Sequence, residues 1–325
     1  MLKAIAITGP TASGKTAISL ALAKSLSAEI ISCDSMQIYK GMNIGTAKAT
    51  EAERSAVPHH MIDFLSPTED YSAEEYRSSA LKVAEQITER GALPLFVGGT
   101  GLYVDALMRA PMTAVPESSR EYRDAVMENI KDEQDVIALW ERLLRVDPES
   151  AEAIHRNNVR RVIRALEIYD KTGKTKSYFD KQSKLKSPDI EIGMITLDFH
   201  NRDTLYARVD ARVDEMVREG LVDEVRSLYD SGLLTDKSTA SQAIGYKEML
   251  AYIRGEASLS AAVELIKLST RRYAKRQLTW FRHEQGAYRL FVDREDGTLR
   301  SKDELLSESV GAANQFLKEF SQNEG

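Results

Sequence analysis

Residues 9–16 read Gly9-Pro10-Thr11-Ala12-Ser13-Gly14-Lys15-Thr16 and match the pattern G-x-x-x-x-G-K-[ST] in full. An apolar run, Leu2 to Ile7, precedes this glycine loop, and an alanine- and leucine-rich segment with helical spacing follows it through Leu26. The order of strand, glycine loop and helix is the context in which this pattern forms a P-loop. We therefore predict an α/β protein with a P-loop-type parallel-sheet core.

The glycine loop itself predicts a phosphate site. Gly9 and Gly14 can adopt backbone angles that other residues avoid, so successive N–H groups can turn inward around phosphate oxygens. The helix dipole, the Lys15 ammonium group and the Thr16 hydroxyl, the last as a ligand of Mg²⁺, add to this site. The residues expected at a diphosphate are Gly9, Thr11, Ala12, Ser13, Gly14, Lys15 and Thr16. The pattern does not distinguish a diphosphate from a triphosphate.

The composition is that of a globular protein. The chain has 325 residues, of which 42% are hydrophobic, enough for a large core and about two domains. No apolar run reaches the roughly 18 residues of a membrane span, and no signal-peptide pattern opens the chain. We expect a cytoplasmic monomer without membrane contact. The single cysteine, Cys33, excludes a disulfide framework and a multi-cysteine zinc site, and its position after an apolar strand favours burial.

Charge is distributed unevenly along the chain. The net charge of −6 argues against a generic nucleic-acid binder. Residues 156–186 nevertheless hold ten Lys or Arg against three acidic residues, and residues 267–283 hold six against none. An acidic protein with two concentrated basic segments indicates one specific anionic partner.

Hydrophobic periodicity divides the chain into a core and an insert. Strand-like runs at residues 29–33, 93–97, 190–199 and 288–292 alternate with helical patterns, as in a doubly wound sheet. The segment after residue 112 is helical and rich in charge, without a strand signal. We predict a catalytic core of residues 1–112 and 189–325, with residues 113–188 as an inserted all-helical domain.

Two predicted strand ends carry further candidate groups. The second strand runs into Asp34-Ser35-Met36-Gln37, at a position where doubly wound proteins bind ligands. The third runs into Gly98-Gly99-Thr100-Gly101, where P-loop ATPases and nucleotide kinases are expected to carry an acidic residue that helps to hold Mg²⁺. A hydroxyl and backbone donors suit binding of a diphosphate better than activation of water. This weakens the ATPase interpretation.

Three features leave alternatives open. Arg208 and Arg212 share a helix face that could meet a phosphate group or could be a solvated charged face. Residues 270–282 interleave cations with aromatic residues, which suits RNA binding or a surface helix whose aromatic residues dock into the core. The adjacent His59 and His60 favour hydrogen-bonded structural roles over metal binding.

Taken together, the motifs resemble those of the bacterial tRNA dimethylallyltransferase (tRNA isopentenyltransferase) family. The blocks that carry the resemblance are GPTASGKT, DSMQIYKGMNIGTAK, GGTGLY, RVDARVDEM, QAIGYKE and TRRYAKRQLTWFR, in the order of the family, between residue 1 and about residue 295. The glycine loop alone is shared by many families, whereas this combination is specific. The zinc-finger extension of eukaryotic relatives is absent from the sequence.

The resemblance implies an activity and a set of roles. The activity is transfer of a dimethylallyl group from dimethylallyl diphosphate, with Mg²⁺, to N6 of the adenine just 3′ of the tRNA anticodon, releasing diphosphate. By resemblance, Asp34 is the general base and Thr100 contacts the diphosphate side of the reaction centre. On physical grounds, an arginine such as Arg212 would also stabilise the departing diphosphate. The implied contacts with the tRNA anticodon stem-loop are Ser35, Met36, Gln37, Arg123, Asn158, Val159, Arg160, Arg161, Val162, Gln242, Gly245, Tyr246 and Lys247.

Two other functions compete with this interpretation. A small-molecule kinase using ATP would explain the glycine loop, with Asp34 binding a substrate hydroxyl, but leaves both basic segments and the missing carboxylate after the third strand unexplained. A nucleotide-dependent RNA-binding switch would explain the basic segments but gives Asp34 no role.

Overall fold

The computed structural model describes residues 1–109, 115–116, 118–184, 189–235 and 238–322. It divides into two compact units, one formed by Met1–Met108 with Ile190–Gly325 and the other by Arg109–Asp189. Of the sequence-based domain limits, residues 112, 113 and 188 lie outside the described residues, so those limits stay a prediction.

The first unit is built on a parallel sheet. Its strands are β1 (Leu2–Thr8), β2 (Ala28–Ser32), β3 (His59–His60), β4 (Leu93–Gly98), β5 (Ile190–Asp198) and β6 (Tyr288–Phe291). Their order across the sheet is β3-β2-β4-β1-β5-β6, and every pairing in the described sheet is parallel. The predicted α/β class with a parallel-sheet core is confirmed. The sequence did not indicate β3, because two residues are too few to show a period.

Helices connect the strands and form the insert. In chain order they are α1 (Lys15–Leu26), α2 (Glu51–Ala56), α3 (Ala73–Glu89), α4 (Gly101–Met108), α5 (Arg120–Glu128), α6 (Glu133–Val146), α7 (Pro148–Ala153), α8 (Val159–Thr172), α9 (Lys176–Lys184), α10 (Arg202–Arg218), α11 (Leu221–Asp230), α12 (Tyr246–Ile253), α13 (Leu259–Arg282) and α14 (Lys302–Gln322). Within the described segments, no helix is both long and apolar enough to cross a bilayer.

The central strand β1 is covered on both faces. Ile5 and Ile7 belong to a core cluster with residues of α1, α10 and α14, while Ala4 and Ala6 face a second cluster with α3 and α4. A strand buried on both sides reads as a continuous apolar run, which is how its sequence reads. Both ends of the glycine loop are therefore attached to rigid elements.

The second unit has a small core of its own. Its described residues form α5 to α9, and apolar side chains such as Leu143, Ala151 and Leu166 pack together there. Glu167 is fully buried and accepts hydrogen bonds from the Ser119 N–H, Arg164 and Lys171. These three donors hold the pKa of the Glu167 carboxyl below its usual value in spite of burial, so the charge is compensated inside the unit.

An ion pair attaches the end of α13 to the end of β5. The Asp198 carboxylate is buried and accepts both Nε and Nη2 of Arg282, at 2.9 and 2.6 Å, while Arg282 also donates to the Phe199 carbonyl at 3.0 Å. Removing one partner of a buried pair leaves an uncompensated charge, which is a large loss of stability.

We expect Arg282→Ala to lower the free energy of unfolding by about 3 kcal/mol, because the Asp198 carboxylate stays buried without its partner. Urea unfolding followed by circular dichroism measures this change. Arg226→Ala, on the exposed side of α11, is the matched control and should change the value by less than about 0.5 kcal/mol. Equal unfolding free energies for the two variants would contradict the assigned role of the pair.

Candidate active site

The ends of β1, β2 and β4 meet at one edge of the sheet. β4 pairs with both neighbours, with Gly98 opposite Thr8 and Val97 opposite Ser32. The backbones come so close that a Cβ on Gly98 would lie 2.2 Å from the Cys33 carbonyl oxygen. The loops that follow these strands are consequently brought side by side.

The glycine loop is bent where the sequence predicts it. Gly9 has a φ of +136°, and a Cβ there would lie 2.7 Å from the Leu197 carbonyl oxygen of β5. Gly14 has a φ of +96°, and Ala12 adopts a φ of 61° between them. Side chains other than glycine are strained at such angles, so Gly9 is required both by its conformation and by the space available.

Lys15 lies inside this loop. Its Nζ donates to the carbonyl oxygens of Gly9 and Pro10 at 3.0 and 2.7 Å. Burial lowers the pKa of Lys15 to about 8, with the Asp34 charge opposing this change and the Arg212 charge adding to it. The side chain of Arg212 is exposed on α10 and makes no hydrogen bond or ion pair with the described residues. Lys15 and Arg212 together place positive charge beside the loop.

Two hydroxyl groups of the glycine loop are without a partner among the described residues. The Ser13 Oγ is buried and has no hydrogen bond, and the Thr16 side chain is exposed at the first turn of α1. An unpartnered buried hydroxyl is unfavourable unless a ligand completes it. A hydroxyl at this helix end can bind a Mg²⁺ ion that takes its other ligands from phosphate oxygens and water. No group of three or more His, Cys, Asp or Glu among the described residues forms a metal site independent of such a ligand.

Asp34 lies after β2, beside this loop. Its Oδ1 accepts the N–H of Met36 at 2.9 Å and that of Gln37 at 3.4 Å, and Oδ2 has no hydrogen-bond partner within the described residues. Burial raises the pKa of Asp34, while the Met36 N–H, the Lys15 charge and the Gln37 N–H oppose the rise. The carboxylate is thus oriented through one oxygen, and the other can accept a proton.

Thr100 connects the β4 end to the β2 end. Its N–H donates to the Cys33 carbonyl at 3.1 Å, and its Oγ1 accepts the Ser35 N–H at 3.0 Å. Tyr273 of α13 lies close to Thr100 and to Asp34, and burial raises the pKa of Tyr273 to about 12. The structure therefore brings together the glycine loop, Asp34 and Thr100, all from one chain.

Two helices hold the glycine loop from outside. The Arg208 Nε on α10 donates to the Ala12 carbonyl at 2.8 Å, so Arg208 supports the loop while Arg212 is the exposed cation. The Thr11 N–H donates to Gln277 Oε1 on α13 at 2.8 Å. Thr11 was expected to bind diphosphate, but its N–H is used within the protein.

The residues implied to contact tRNA have different exposures. Those that are exposed are Asn158, Arg160, Arg161, Gln242 and Lys247, and those that are half-buried are Ser35, Met36, Gln37, Arg123 and Val159. The side chains of Val162 and Tyr246 are 1% and 0% exposed and lie in two hydrophobic cores. Gly245 is buried with a φ of +95° and is the N-cap residue that precedes α12. All of these contacts with tRNA stay predictions.

Gln37 and Tyr246 organise the loop that follows Asp34. Gln37 Nε2 donates to the Thr46 carbonyl at 3.1 Å. The Glu224 carboxylate accepts the N–H groups of residues 43–45 and, at 2.6 Å, the Tyr246 hydroxyl. Tyr246 therefore supports this loop from the core.

The basic segment at residues 267–283 packs one face into the core and exposes cations on another, and RNA binding by the exposed face stays a prediction. Phe281 is buried, and three of its cations are paired internally: Lys267 with Asp214, Arg271 with Asp210 and Arg282 with Asp198. The other cations, Arg272, Lys275 and Arg276, are exposed and border a groove of about 620 Å³ with Trp280. This exposed face of α13 carries cations beside an aromatic ring, as suits a nucleic acid.

His59, His60 and Cys33 have structural roles. The ring Nδ1 of His59 bonds the Val57 carbonyl at 2.7 Å, and the ring Nε2 of His60 bonds Glu29 at 2.6 Å. Cys33 is buried beside the Tyr76 hydroxyl, 2.8 Å away, and burial raises the pKa of its thiol to about 12. A thiol that stays protonated at neutral pH is a poor nucleophile.

Sequence reasoning missed Gln277, Tyr273 and Glu224 as site residues. Gln277 is 6% exposed and lies on the same helix face as the buried Ala274 and Leu278. A long polar side chain on an apolar face was a usable signal, because buried amides need hydrogen-bond partners. The partners themselves could not be read from the sequence.

Comparison with known proteins identifies relatives over most of the chain. The IPP transferase family profile matches residues 37–284. A tRNA dimethylallyltransferase from Thermoanaerobacter sp. (strain X514) is 45% identical over 293 residues, 90% of this chain and 92% of the relative. A full-length tRNA isopentenylpyrophosphate transferase from Bacillus halodurans superposes with a TM-score of 0.73 at 41% identity, covering 100% of this chain and 99% of that one. A eukaryotic dimethylallyltransferase acting on tRNA superposes with a TM-score of 0.75 at 30% identity, over 92% of this chain and 74% of that one.

We expect the affinity of the ligand-free protein for inorganic diphosphate, with Mg²⁺, to fall as the pH rises through about 8, because Lys15 then loses its charge. Isothermal titration calorimetry between pH 6.5 and 9.5 measures the affinity. Lys15→Ala should bind weakly at all pH values and lack this decline. Lys24→Ala, an exposed lysine near the end of α1, is the control that should keep it. If the diphosphate affinity of Lys15→Ala declines with pH as much as that of the unmodified protein, the decline is caused by titration of another group.

Proposed function

The chain belongs to the IPP transferase family, and from this we propose that it transfers a dimethylallyl group from dimethylallyl diphosphate to N6 of the adenine 3′-adjacent to the tRNA anticodon. The observation that carries the proposal is the position of Asp34 beside the glycine loop, with one carboxylate oxygen unpartnered among the described residues. A proton acceptor next to a diphosphate site is what this reaction needs. The kinase alternative lacks support, because β4 ends in Gly98-Gly99-Thr100 without a carboxylate.

The acceptor is a weak nucleophile. The lone pair of an adenine amine is delocalised into the ring, so removal of an N6 proton during attack assists the reaction. We propose that Asp34 Oδ2 accepts that proton, since the Met36 N–H donates to Oδ1 at 2.9 Å and orients the carboxylate. The N6–C bond forms as the bond between the allylic carbon and the diphosphate oxygen breaks, and the electron pair leaves with the diphosphate.

The departing diphosphate needs stabilisation of its charge. An allylic carbon tolerates cationic character, so the protein mainly has to stabilise the negative charge of the leaving diphosphate. We propose that the glycine-loop N–H groups, Lys15, Arg212 and Thr100 supply donors and positive charge on that side. Thr16 and the buried, unpartnered Ser13 hydroxyl are the loop groups that fit a Mg²⁺-bound diphosphate. The ion, when bound, neutralises phosphate charge.

The tRNA is proposed to be bound by basic surfaces on both units. On the insert, the side chain of Asn158 leaves the N-terminus of α8 uncapped. The side chains of Arg160 and Arg161 are exposed and make no hydrogen bond or ion pair with the described residues. A helix N-terminus with exposed arginines suits phosphate groups. The target adenine must leave the anticodon loop to reach Asp34, which costs a few kcal/mol for an unpaired base. We propose the anticodon stem-loop as the part of tRNA that is bound.

The glycine loop, Asp34 and Thr100 come from one chain, which supports action as a monomer. A tRNA substrate supports a cytoplasmic location. The deciding experiment incubates the protein with unmodified tRNA, Mg²⁺ and either dimethylallyl diphosphate or ATP, each carrying a label. We expect the dimethylallyl label in tRNA at N6 of that adenine, with ATP hydrolysis at background. Transfer of phosphate from ATP, or ATP hydrolysis stimulated by tRNA, would overturn the proposal.

We expect Asp34→Asn to lower the single-turnover rate by about 10² to 10⁴, the range for a positioned general base, with little change in stability. In the unmodified protein the rate should fall as the pH decreases through the raised pKa of Asp34, because protonation removes the base. Rapid-quench measurements at saturating substrates between pH 4.5 and 8 test both points. If the rate of Asp34→Asn falls at low pH in the same way as that of the unmodified protein, the fall is caused by titration of another group.

Replacing Arg160 and Arg161 with Ala should weaken tRNA binding and flatten its dependence on salt, by about 0.7 to 0.9 log units for each phosphate group that the variant no longer binds. Filter binding at several salt concentrations measures the slope. The single-turnover rate at saturating tRNA should fall by less than about tenfold, because the reacting groups lie in the first unit. Arg226→Ala, exposed on α11, serves as a control for loss of charge. If the affinity of the variant for tRNA depends on salt with the same slope as that of the unmodified protein, Arg160 and Arg161 do not bind tRNA phosphates and the insert is not part of the proposed interface.

A further inference from the structure

Gln277 joins two loops of the candidate active site through the two ends of one side chain. Its Oε1 accepts the Thr11 N–H at 2.8 Å, and its Nε2 donates to the Gly99 carbonyl at 2.8 Å. Thr11 belongs to the glycine loop after β1, and Gly99 to the loop after β4. The amide is 6% exposed, so water does not replace these bonds readily.

The chemistry of the partners fixes the orientation of the amide. A backbone N–H only donates and a backbone carbonyl only accepts, so the oxygen must face Thr11 and the nitrogen must face Gly99. A carboxylate in this place would turn an acceptor towards the Gly99 carbonyl. An apolar side chain of the same length would leave both backbone groups without a partner.

The fit around the amide is tight. A Cβ on Gly99 would lie 2.2 Å from Gln277 Nε2 and 3.1 Å from the Gly9 carbonyl oxygen. The helix that carries Gln277 is itself held, because Arg271 pairs with Asp210 of α10 at 2.6 Å. The amide therefore links the two loops from a supported position on α13.

Each of the two loops carries one side of the proposed reaction. The glycine loop holds the diphosphate, and Thr100, next to Gly99, bonds the Ser35 N–H beside the base Asp34. We infer that Gln277 is a positioning residue that sets the separation of the leaving group from the base. This inference rests on the proposed function, because the reaction defines the two sides.

The first variant is Gln277→Met, which keeps the length of the side chain and removes both hydrogen bonds. We expect kcat/KM for dimethylallyl diphosphate to fall about tenfold to 100-fold, as two buried backbone groups lose their partners. The dissociation constant for tRNA should change less than about threefold. The dissociation constant for inorganic diphosphate with Mg²⁺ should rise about tenfold, a readout that needs no turnover.

The second variant is Gln277→Glu, which distinguishes hydrogen bonding from packing. A protonated carboxyl has one donor and one acceptor and can remake both bonds, whereas the carboxylate cannot. Burial raises the pKa of a carboxyl, so this variant should regain activity relative to the unmodified protein as the pH falls from 8 to 5.5. The ratio of the activity of Gln277→Met to that of the unmodified protein should not change with pH.

The titratable groups around this place are Tyr273 on α13, Lys15 and Asp34 in the strand-end loops and Arg208 on α10. All of them are present in the unmodified protein and in both variants. Gln277→Met keeps these groups and adds no charge, so a pH dependence that appears in Gln277→Glu and not in Gln277→Met reports the introduced carboxyl.

The matched controls are Gln315→Met and Gln315→Glu, at an exposed glutamine of α14, which should match the unmodified protein. Parallel loss of activity in both Gln277 variants without recovery at low pH would overturn the inference, as would unchanged diphosphate affinity in Gln277→Met. If the unmodified protein does not prenylate tRNA, the proposed function fails. The diphosphate titration still decides whether Gln277 holds the glycine loop in the conformation that binds diphosphate.

Discussion

The close approach of three parallel strand ends is the constraint on which the candidate site depends. Gly98 lies where a Cβ would be 2.2 Å from the Cys33 carbonyl oxygen, and Gly99 where a Cβ would be 3.1 Å from that of Gly9. Backbones this close bring the loops after β1, β2 and β4 within hydrogen-bond distance of one another. Thr100 can therefore contact both Cys33 and Ser35, and a single glutamine can reach two loops.

Burial acts in opposite directions on the two charged groups of the site. It lowers the pKa of Lys15 and raises that of Asp34, because both lose solvation of their charged forms. The charge of each group opposes the pKa change that burial causes in the other. A base and a cation for the leaving group can therefore coexist in one small site, which is the condition for proton removal beside a diphosphate.

The basic segments show why a count of charges does not define a surface. In the segment at residues 267–283, Arg271 and Arg282 pair with acidic groups of the same unit, whereas Arg272, Lys275 and Arg276 remain exposed. The paired arginines hold α13 in place, and the exposed cations give it a surface for an anion. The two roles alternate along one helix, since successive residues point in different directions.

The amino-acid sequence by itself determined the α/β class, the glycine loop, the strand ends and the family, because short-range patterns of glycine, apolar and charged residues are visible along the chain. It also indicated Asp34 and Thr100, which follow directly after strands. The tertiary structure alone decided which side chains support these groups. Tyr246 turned inward to Glu224, and Gln277 found partners in two loops far from it in the sequence, because both depend on contacts that no local pattern records.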